Sequence, residues 1–372
     1  MPEASYHPST AHVGGPPYAV SAPGEFCCPW PADLRGGLVV PMRVGSPGGP
    51  TEWQARGAGW RRTSRGFYVP AYVDGEVAEQ RIVEASVVMP YGAAITAWAA
   101  LRWQGAAWFD GFAPDGVTKE PLLILTGDHN IRSQAGFTVV EERRSLSDLR
   151  VVDGLLVTDP LRSLTHEMRY AKSVREASVA FSMAAYSDLV SAEEVCAHAL
   201  TSPGWTGAPQ LREACRYLEE NAWSPWEQRT SLVWQIDAEL PRALANRPVF
   251  DRFGNHLGTP DLIDEEAGLI IEYDGEVHLE PGRHEADLAR LQRFRRAGLE
   301  FLIVRRGETA MRVTLAERMR RSRAAAAFAA PSKRNWTLEP PAWWVPTFTV
   351  QQRRELSDAD RASLLRLRRR VS

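Results

Sequence analysis

Long hydrophobic runs are missing from the 372 residues of this sequence. No stretch approaches the roughly 18 consecutive apolar residues that a membrane span needs. The N-terminus also lacks a basic region followed by an apolar core, which is the pattern of a secretory signal. We therefore expect a soluble, cytoplasmic protein that has no membrane partner.

Cysteine is scarce as well. The chain has four, at Cys27, Cys28, Cys196 and Cys215. They show no C-x-x-C spacing and no histidine-rich tract accompanies them, so neither a zinc site nor a disulfide framework is indicated. This composition fits a reducing compartment.

An excess of charge of one sign is also absent, because the formal net charge is -2. Arginine nevertheless clusters after residue 282, whereas acidic residues are spread more evenly. The global charge therefore indicates no partner. The local arginine clusters either supply counter-charge to a nucleic-acid backbone or form a solvated helix face.

Composition divides the chain into five regions. The first is dense in proline and glycine, which predicts a disordered tail. An α+β region, a helical connector and an α/β domain follow. The last region is an arginine- and proline-rich tail, whose Trp336, Trp343 and Trp344 are expected to pack onto the body. The predicted boundaries are 1–35, 36–165, 166–221, 222–310 and 311–372.

Basic and aromatic residues are interleaved in the run WQARGAGWRRTSRGFYVPAYV at residues 53–73. Gly66 is placed to turn a hairpin whose second strand is FYVPAYV. In a small winged-helix module this hairpin would set Arg61, Arg62 and Arg65 against phosphates, with the aromatic side chains packed beneath. A solvated basic hairpin on an ordinary surface explains the run equally well.

The segment YGAAITAWAALRWQGAAWF then has helical spacing, and PLLILTG and GFTVVEE are predicted strands. Two helices follow. The second is interrupted near Ser187, where Ser191 and Glu194 match a capping box. A short helix is predicted at residues 211–220.

From residue 222 the predicted order is one helix, three strands, one helix and one strand. Ser224 is the N-cap of the first helix and Pro225 lies in its first turn. An amphipathic helix runs from about Arg283 to Arg296, and Gly298 ends it. The strands are expected at RPVFD, GTPDLID, GLIIEYDG and EFLIVR.

Carboxylates occupy two of these strands where aliphatic side chains dominate. Because side chains alternate along a strand, Glu272 and Asp274 share one face, about 7 Å apart. Asp261 joins them if its strand pairs with theirs. Three oxygen donors suit Mg²⁺ or Mn²⁺ rather than zinc. Alternatively, the strands lie at a sheet edge, with the carboxylates hydrated or paired to Arg283 and Arg290.

The dipeptide Pro260–Asp261 followed by Glu272, Tyr273 and Asp274 resembles the signature of the PD-(D/E)XK nucleases. The longer run GTPDLIDEEAGLIIEYDGEVHL, with the helix and strand after it, more narrowly resembles the very-short-patch-repair-like endonuclease domains. Their pattern is an aspartate strand, E-x-D-G-x-x-H, a D-x-x-R helix and a strand after a glycine. The match covers roughly residues 222–306 and implies a restriction-endonuclease-like αβββαβ core.

The resemblance implies roles for individual residues. Asp261 and Glu272 would hold Mg²⁺ or Mn²⁺, and Glu227 matches a first-helix glutamate that can complete the site. Glu227 is equally well explained as the reciprocal carboxylate of a capping box with Ser224. Asp274 stands where many members of the superfamily carry a lysine, which leaves the identity of the general base open.

Three further residues match the narrower family. His278 would position or deprotonate the attacking water, and a histidine in an exposed turn is the alternative. Asp287 and Arg290 would buttress the acidic cluster, contact a phosphate or simply form an intrahelical ion pair. The expected activity is metal-dependent hydrolysis of phosphodiester bonds in DNA.

The upstream half offers a second function. GWRRTSRGFYVPA, AAITAWAALRWQGA and VTDPLRSL, within residues 50–165, weakly resemble the winged-helix and following region of AbiEi-type antitoxins, which are DNA-binding repressors. This resemblance implies a regulator whose nuclease-like domain binds DNA without cutting it. The missing motif lysine keeps this alternative open, and a protein partner is left unassigned.

Overall fold

The chain forms two compact units, Met1–His166 and Glu167–Ser372. Each combines helices with β-sheet, so the expected α/β character is confirmed at that level. Across the described ranges, no helix has both the length and the apolar character needed to cross a membrane. All but the last residue of the predicted 1–35 tail lie outside those ranges. The computed structural model describes residues 35–126, 131–142, 146–274 and 283–371.

A small antiparallel sheet begins the first unit. Its strands are β1 (Met42–Arg43), β2 (Trp60–Ser64) and β3 (Phe67–Pro70), in the order β1-β3-β2. The predicted basic hairpin is confirmed, because β2 pairs with β3 around Gly66, whose φ is +81°. That backbone conformation costs glycine little and other residues more.

A five-stranded mixed sheet, in the order β6-β5-β4-β8-β7, completes the first unit. Ile82, Trp98 and Trp103 pack in its core. The strands predicted at PLLILTG and GFTVVEE are confirmed as β5 and β6. The helical prediction for YGAAITAWAALRWQGAAWF is wrong in its first half, where β4 pairs with β5 and β8. The elements are α1 (Ala78–Ser86), β4 (Ala94–Thr96), α2 (Ala97–Trp103), β5 (Leu122–Leu125), β6 (Phe137–Val140), β7 (Leu149–Val152) and β8 (Leu155–Thr158).

Five helices follow, and the boundary between the units falls within the first of them. The capping box of Ser191 and Glu194 is confirmed. The helix predicted at 211–220 lies instead three residues earlier, because Gly207 caps it with φ +77° and Pro209 fits its first turn. The helices are α3 (Pro160–Tyr170), α4 (Val174–Tyr186), α5 (Ala192–Thr201), α6 (Ala208–Ala214) and α7 (Pro225–Leu232). A π-helical turn, Val233–Asp237, continues α7.

The second unit contains two sheets. The four-stranded sheet has the order β14-β13-β12-β9, in which β13 and β14 are parallel and β12 and β13 antiparallel. Its strands and the crossover helix match the predicted strand–strand–helix–strand order. The elements are β9 (Leu244–Ala245), β10 (Val249–Asp251), β11 (His256–Gly258), β12 (Leu262–Asp264), β13 (Leu269–Asp274), α8 (Arg283–Ala297), β14 (Glu300–Arg305) and β15 (Trp336–Thr337).

The two faces of this sheet pack against different helices. Ile263 and Ile270 lie in a cluster with Phe294 of α8. Leu262 and Ile271 lie in a second cluster with Trp234 and with residues of the next helix, α9 (Arg312–Ala325). Because side chains alternate along strands, the next residues toward the open end of the hairpin, Asp261 and Glu272, fall on the α8 face.

The first of the three predicted strands, RPVFD, does not join this sheet. It forms β10, which pairs with β11 and β15 in a separate three-stranded sheet, and β9 takes the outer place beside β12. Trp336 in β15 is buried, as expected of the tail tryptophans, whereas Trp343 remains 62% exposed. Two further helices, α10 (Val350–Arg354) and α11 (Asp358–Val371), end the chain.

Candidate functional site

Glu272 is a buried carboxylate, 9% exposed, on the β13 face that packs against α8. Its Oε2 accepts a hydrogen bond from Nη2 of Arg290 over 3.3 Å. Its Oε1 is buried and has no hydrogen-bond partner among the residues that the structure describes. Burial and the neighbouring Asp261 carboxylate together raise the pKa of Glu272 well above its ordinary value. The negative charge of ionised Glu272 is therefore only partly compensated by Arg290.

Asp261 lies directly before β12. The register that sets Leu262 opposite Ile271 brings Asp261 alongside Glu272 on the neighbouring strand. Its Oδ2 accepts a hydrogen bond of 2.7 Å from the backbone N–H of Tyr273, and its side chain is half-buried. The predicted pairing of the two acidic strands is therefore confirmed, and it brings these two carboxylates together.

Glu227 supplies the third carboxylate, from the first turn of α7. Ser224 caps the helix by accepting from the Glu227 N–H. The Glu227 side chain does not complete a capping box with Ser224. Instead, its Oε2 accepts from the Trp223 N–H at 2.8 Å and from Nδ2 of Asn246 at 2.6 Å. Burial, and then the charge of Asp261, raise the pKa of Glu227 to about 8.

These three carboxylates interact electrostatically with one another, and we call them the acidic cluster: Glu227, Asp261 and Glu272. Asp261 raises the pKa of both glutamates, and Glu227 adds to the effect on Glu272. Arg290 opposes these effects at Glu272, but its Nη1 also donates to the carbonyl of Thr259 over 3.1 Å. The predicted buttressing role of Arg290 thus has a geometric basis.

Asn246 is a residue of this site that the sequence did not single out. It is 3% exposed, its N–H donates to the carbonyl of Asp261 at 2.9 Å, and its side chain donates to Glu227. It also exchanges hydrogen bonds with Asn221. The one signal in the sequence is the residue type, because asparagine tolerates the left-handed region, where its φ of +46° lies, better than most residues do. Asn246 links the helix and strand that contribute carboxylates.

Asp274 lies outside the buried part of the site. It is exposed at the end of β13, where its carbonyl accepts from the Arg306 N–H. Alternation puts it on the side of Glu272, as predicted, but Asp274 is exposed whereas Glu272 is buried. His278 lies outside the described residues, as does the side chain of Asp287, so their predicted roles stay predictions.

The three arginines predicted on the basic hairpin differ in their surroundings. Arg61 is engaged internally, since its guanidinium pairs with both carboxylate oxygens of Glu84 at 2.6 and 3.0 Å. Arg62 and Arg65 are exposed. Of the three, Arg62 and Arg65 are the ones with side chains available to a phosphate.

The acidic cluster has the chemistry of a divalent-cation site, because it offers carboxylate oxygens and a buried oxygen without a partner. Within the described part of the chain, however, no group of three or more His, Cys, Asp or Glu side chains is arranged closely enough to hold a metal ion. The residues fit such an ion in donor type, and their side chains would have to converge to bind it.

Comparison with protein-family models, curated proteins and solved structures gave no match. The function must therefore be inferred from the residues of the site.

Proposed function

We propose that the protein is a metal-dependent endonuclease of the PD-(D/E)XK type, which hydrolyses phosphodiester bonds in DNA. The main support is Glu272, whose buried Oε1 lacks a described partner while two more carboxylates surround it. The elements α7, β12, β13, α8 and β14 follow in the order that the resemblance implies, although the first predicted strand lies in another sheet. Glu227 lies on α7, Asp261 directly before β12 and Glu272 on β13.

A cation explains the acidic cluster better than folding stability does. Burying ionised carboxylates without compensation is costly, and Arg290 alone opposes only part of the repulsion at Glu272. We infer that Asp261 and Glu272 would hold Mg²⁺ or Mn²⁺, with Glu227 completing the site. When bound, the ion would stabilise the charge that develops on the phosphoryl oxygens.

The chain's own groups have separate tasks in this proposal. Arg290 holds Glu272 from the α8 side, and the Tyr273 N–H orients Asp261. Glu227 Oε2 accepts two hydrogen bonds, so a proton on this carboxyl group would reside on Oε1. With its pKa raised to about 8, Glu227 holds this proton at neutral pH when no cation is bound, and binding of the cation would release it. His278 is proposed to position or deprotonate the attacking water.

Nicking of supercoiled plasmid in Mg²⁺ or Mn²⁺ tests this function. Asp261→Ala and Glu272→Ala should each abolish nicking without unfolding the protein, as judged by circular dichroism. Glu265→Ala is the matched control, because Glu265 is an exposed carboxylate in the turn of the same β12–β13 hairpin. Unchanged nicking in both site variants would contradict the assignment.

A second candidate is a DNA-binding regulator of the AbiEi type, with a nuclease-like domain that binds without cutting. The exposure of Arg62 and Arg65 on the β2–β3 hairpin favours it, as does Asp274 at the lysine position. This candidate predicts metal-independent, salt-sensitive DNA binding that survives Asp261→Ala and is lost with Arg62→Ala and Arg65→Ala.

A further inference from the structure

A cavity of about 320 Å³ opens between the β10–β11 hairpin and α8. The hairpin contributes Arg252 and Phe253, and the helix contributes Arg293 and Arg296. We call this the aromatic–arginine cleft. None of the residues that line it belongs to the acidic cluster, so the proposed chemistry does not account for it.

Phe253 is 89% exposed at the tip of the hairpin. Its turn is ordered by Asp251, whose carboxylate accepts from the N–H groups of Phe253 and Asn255 and from Nδ2 of Asn255, at 2.8 to 2.9 Å. The bonds from Asn255 come first among the causes that lower the pKa of Asp251. The ordered turn holds the ring of Phe253 in solvent at the cavity, where its face is accessible to a ligand.

Three arginines and one carboxylate, Asp251, line the cleft within the described residues, so its net charge is positive. Arg293 and Arg252 each donate from Nε to a backbone carbonyl, of Leu257 and Arg334 respectively, which neutralises nothing. Arg296 is exposed and makes no hydrogen bond or ion pair with any residue that the structure describes. Asp251 offsets part of this charge, because the N–H groups of its turn orient its carboxylate without neutralising it. The cleft therefore suits an anion that also offers a flat aromatic face.

The helix α8 links the cleft to the acidic cluster. Arg290, Arg293 and Arg296 follow at intervals of three residues, so they extend about 9 Å along the helix axis. A DNA strand rises about 3.4 Å per nucleotide, so this distance corresponds to two or three nucleotides. Gly258 allows β11 and α8 to pack closely, because a Cβ there would lie 2.7 Å from Cζ of Phe294 and would push α8 away from β11.

We propose that the aromatic–arginine cleft binds an unpaired nucleotide of the DNA, two or three positions from the bond that is cleaved. The base stacks on Phe253, and Arg293 and Arg296 contact the adjacent phosphates. The location of the cleaved bond rests on the proposed nuclease function. The base must be unpaired, because a base inside the duplex stack presents no free face to an aromatic ring.

Fluorescence anisotropy in EDTA measures this binding without cleavage. The probes are fluorescein-labelled oligothymidylate, a duplex with one bulged nucleotide and the same duplex fully paired. Phe253→Leu, which keeps apolar bulk but removes the π-face, should weaken binding of the first two probes about tenfold and spare the paired duplex. Phe253→Trp should bind as tightly as the unmodified protein.

The salt dependence of DNA binding tests the role of the arginines. Arg296→Ala should lower the slope of log affinity against log salt by about one. Arg212→Ala removes an exposed arginine of α6 outside the cleft and should leave the slope unchanged.

Three outcomes would overturn the proposal: no loss in Phe253→Leu, an equal loss on the paired duplex, or competition by polyglutamate as strong as that by oligothymidylate. The nicking assay separates this test from the proposed function. Selective loss of binding without metal-dependent nicking by the unmodified protein would keep the cleft and reject the nuclease. If the unmodified protein nicks DNA and Phe253→Leu binds the probes unaltered, the nuclease proposal would stand and the cleft proposal would be rejected.

Discussion

The two ends of the β12–β13 hairpin both bear buried acidic residues, yet their surroundings differ. At the turn end, Asp264 accepts from Nε of Arg323 at 2.7 Å and from the Ala267 N–H at 3.2 Å. Glu266 pairs with the same guanidinium. At the open end, the carboxylates of Asp261, Glu272 and Glu227 interact electrostatically, and the hydrogen bond from Arg290 to Glu272 is 3.3 Å long.

In our proposal, this difference separates structural carboxylates from those that bind a cation. A buried carboxylate that is fully paired stabilises the particular fold that supplies its partner, and removing that partner is strongly destabilising. Carboxylates that repel one another work against folding, and their presence is explained by what they bind. Asp261 and Asp264 are three residues apart, so the contrast arises from tertiary packing and not from residue type.

The largest effect is expected at the open end, in activity. Asp261→Asn and Glu272→Gln keep side-chain shape but remove a charge that we assign to metal binding. Nicking should fall at least about 100-fold. The unfolding free energy without metal should rise by about 1 kcal/mol, because repulsion among the carboxylates is relieved. Plasmid nicking and urea denaturation in EDTA measure the two changes, and a fall in both would assign these residues a structural role.

The turn end should respond in the opposite way. Arg323→Ala leaves Asp264 buried without its cation, and the protein should lose about 3 kcal/mol of unfolding free energy. Nicking by the protein that remains folded should be unaffected. Arg321→Ala, two residues away and exposed, is the control and should change stability little. If Arg323→Ala and Arg321→Ala proved equally stable, the turn end would not be stabilised by its ion pairs.

The pH dependence of stability sharpens the same comparison. Burial raises the pKa of Glu227 to about 8, so between its ordinary pKa and that value the folded state holds a proton that the unfolded state has released. In EDTA, the stability that this proton provides should be complete at acidic pH and lost as the pH rises through about 8. Glu227→Gln should flatten this part of the profile, measured by urea denaturation. A profile that Glu227→Gln leaves unchanged would exclude Glu227 as its source.

The smallest effect is expected at Asp274, which lies beyond the buried part of the open end. Asp274→Ala should change the unfolding free energy by no more than about 0.5 kcal/mol, as is usual for exposed positions. Nicking should fall less than in Glu272→Gln. If it fell equally, Asp274 would belong with the ligands despite its exposure.

Local pattern was enough to predict much of the second unit. The strands β12, β13 and β14 and the helix α8 follow from alternation, turn residues and a helical repeat, all of which act over a few positions. The pairing of Asp261 with Glu272 was predictable for the same reason, because a short turn joins their strands. The N-cap at Ser224 was equally local.

Contacts between distant residues were not predictable. The strand RPVFD lies in a separate sheet, where one neighbour is the adjacent β11 and the other is β15, whose Trp336 lies far along the chain in a segment without strand periodicity. Asn246 was missed because its importance lies in linking Glu227 to Asp261 across separate elements. Arg323 reaches Asp264 from 59 residues away, and nothing in either local pattern indicates that pair.

The sequence by itself determined β12, β13, α8 and β14 and the spacing of the carboxylates on the β12–β13 hairpin, because both depend on backbone periodicity over a few residues. Only the tertiary structure decided that Asp264 is neutralised while Glu227, Asp261 and Glu272 are left to repel one another. Compensation of a buried charge depends on which distant side chains the packing brings within a few ångströms, because the energy of two charges is inversely proportional to their separation.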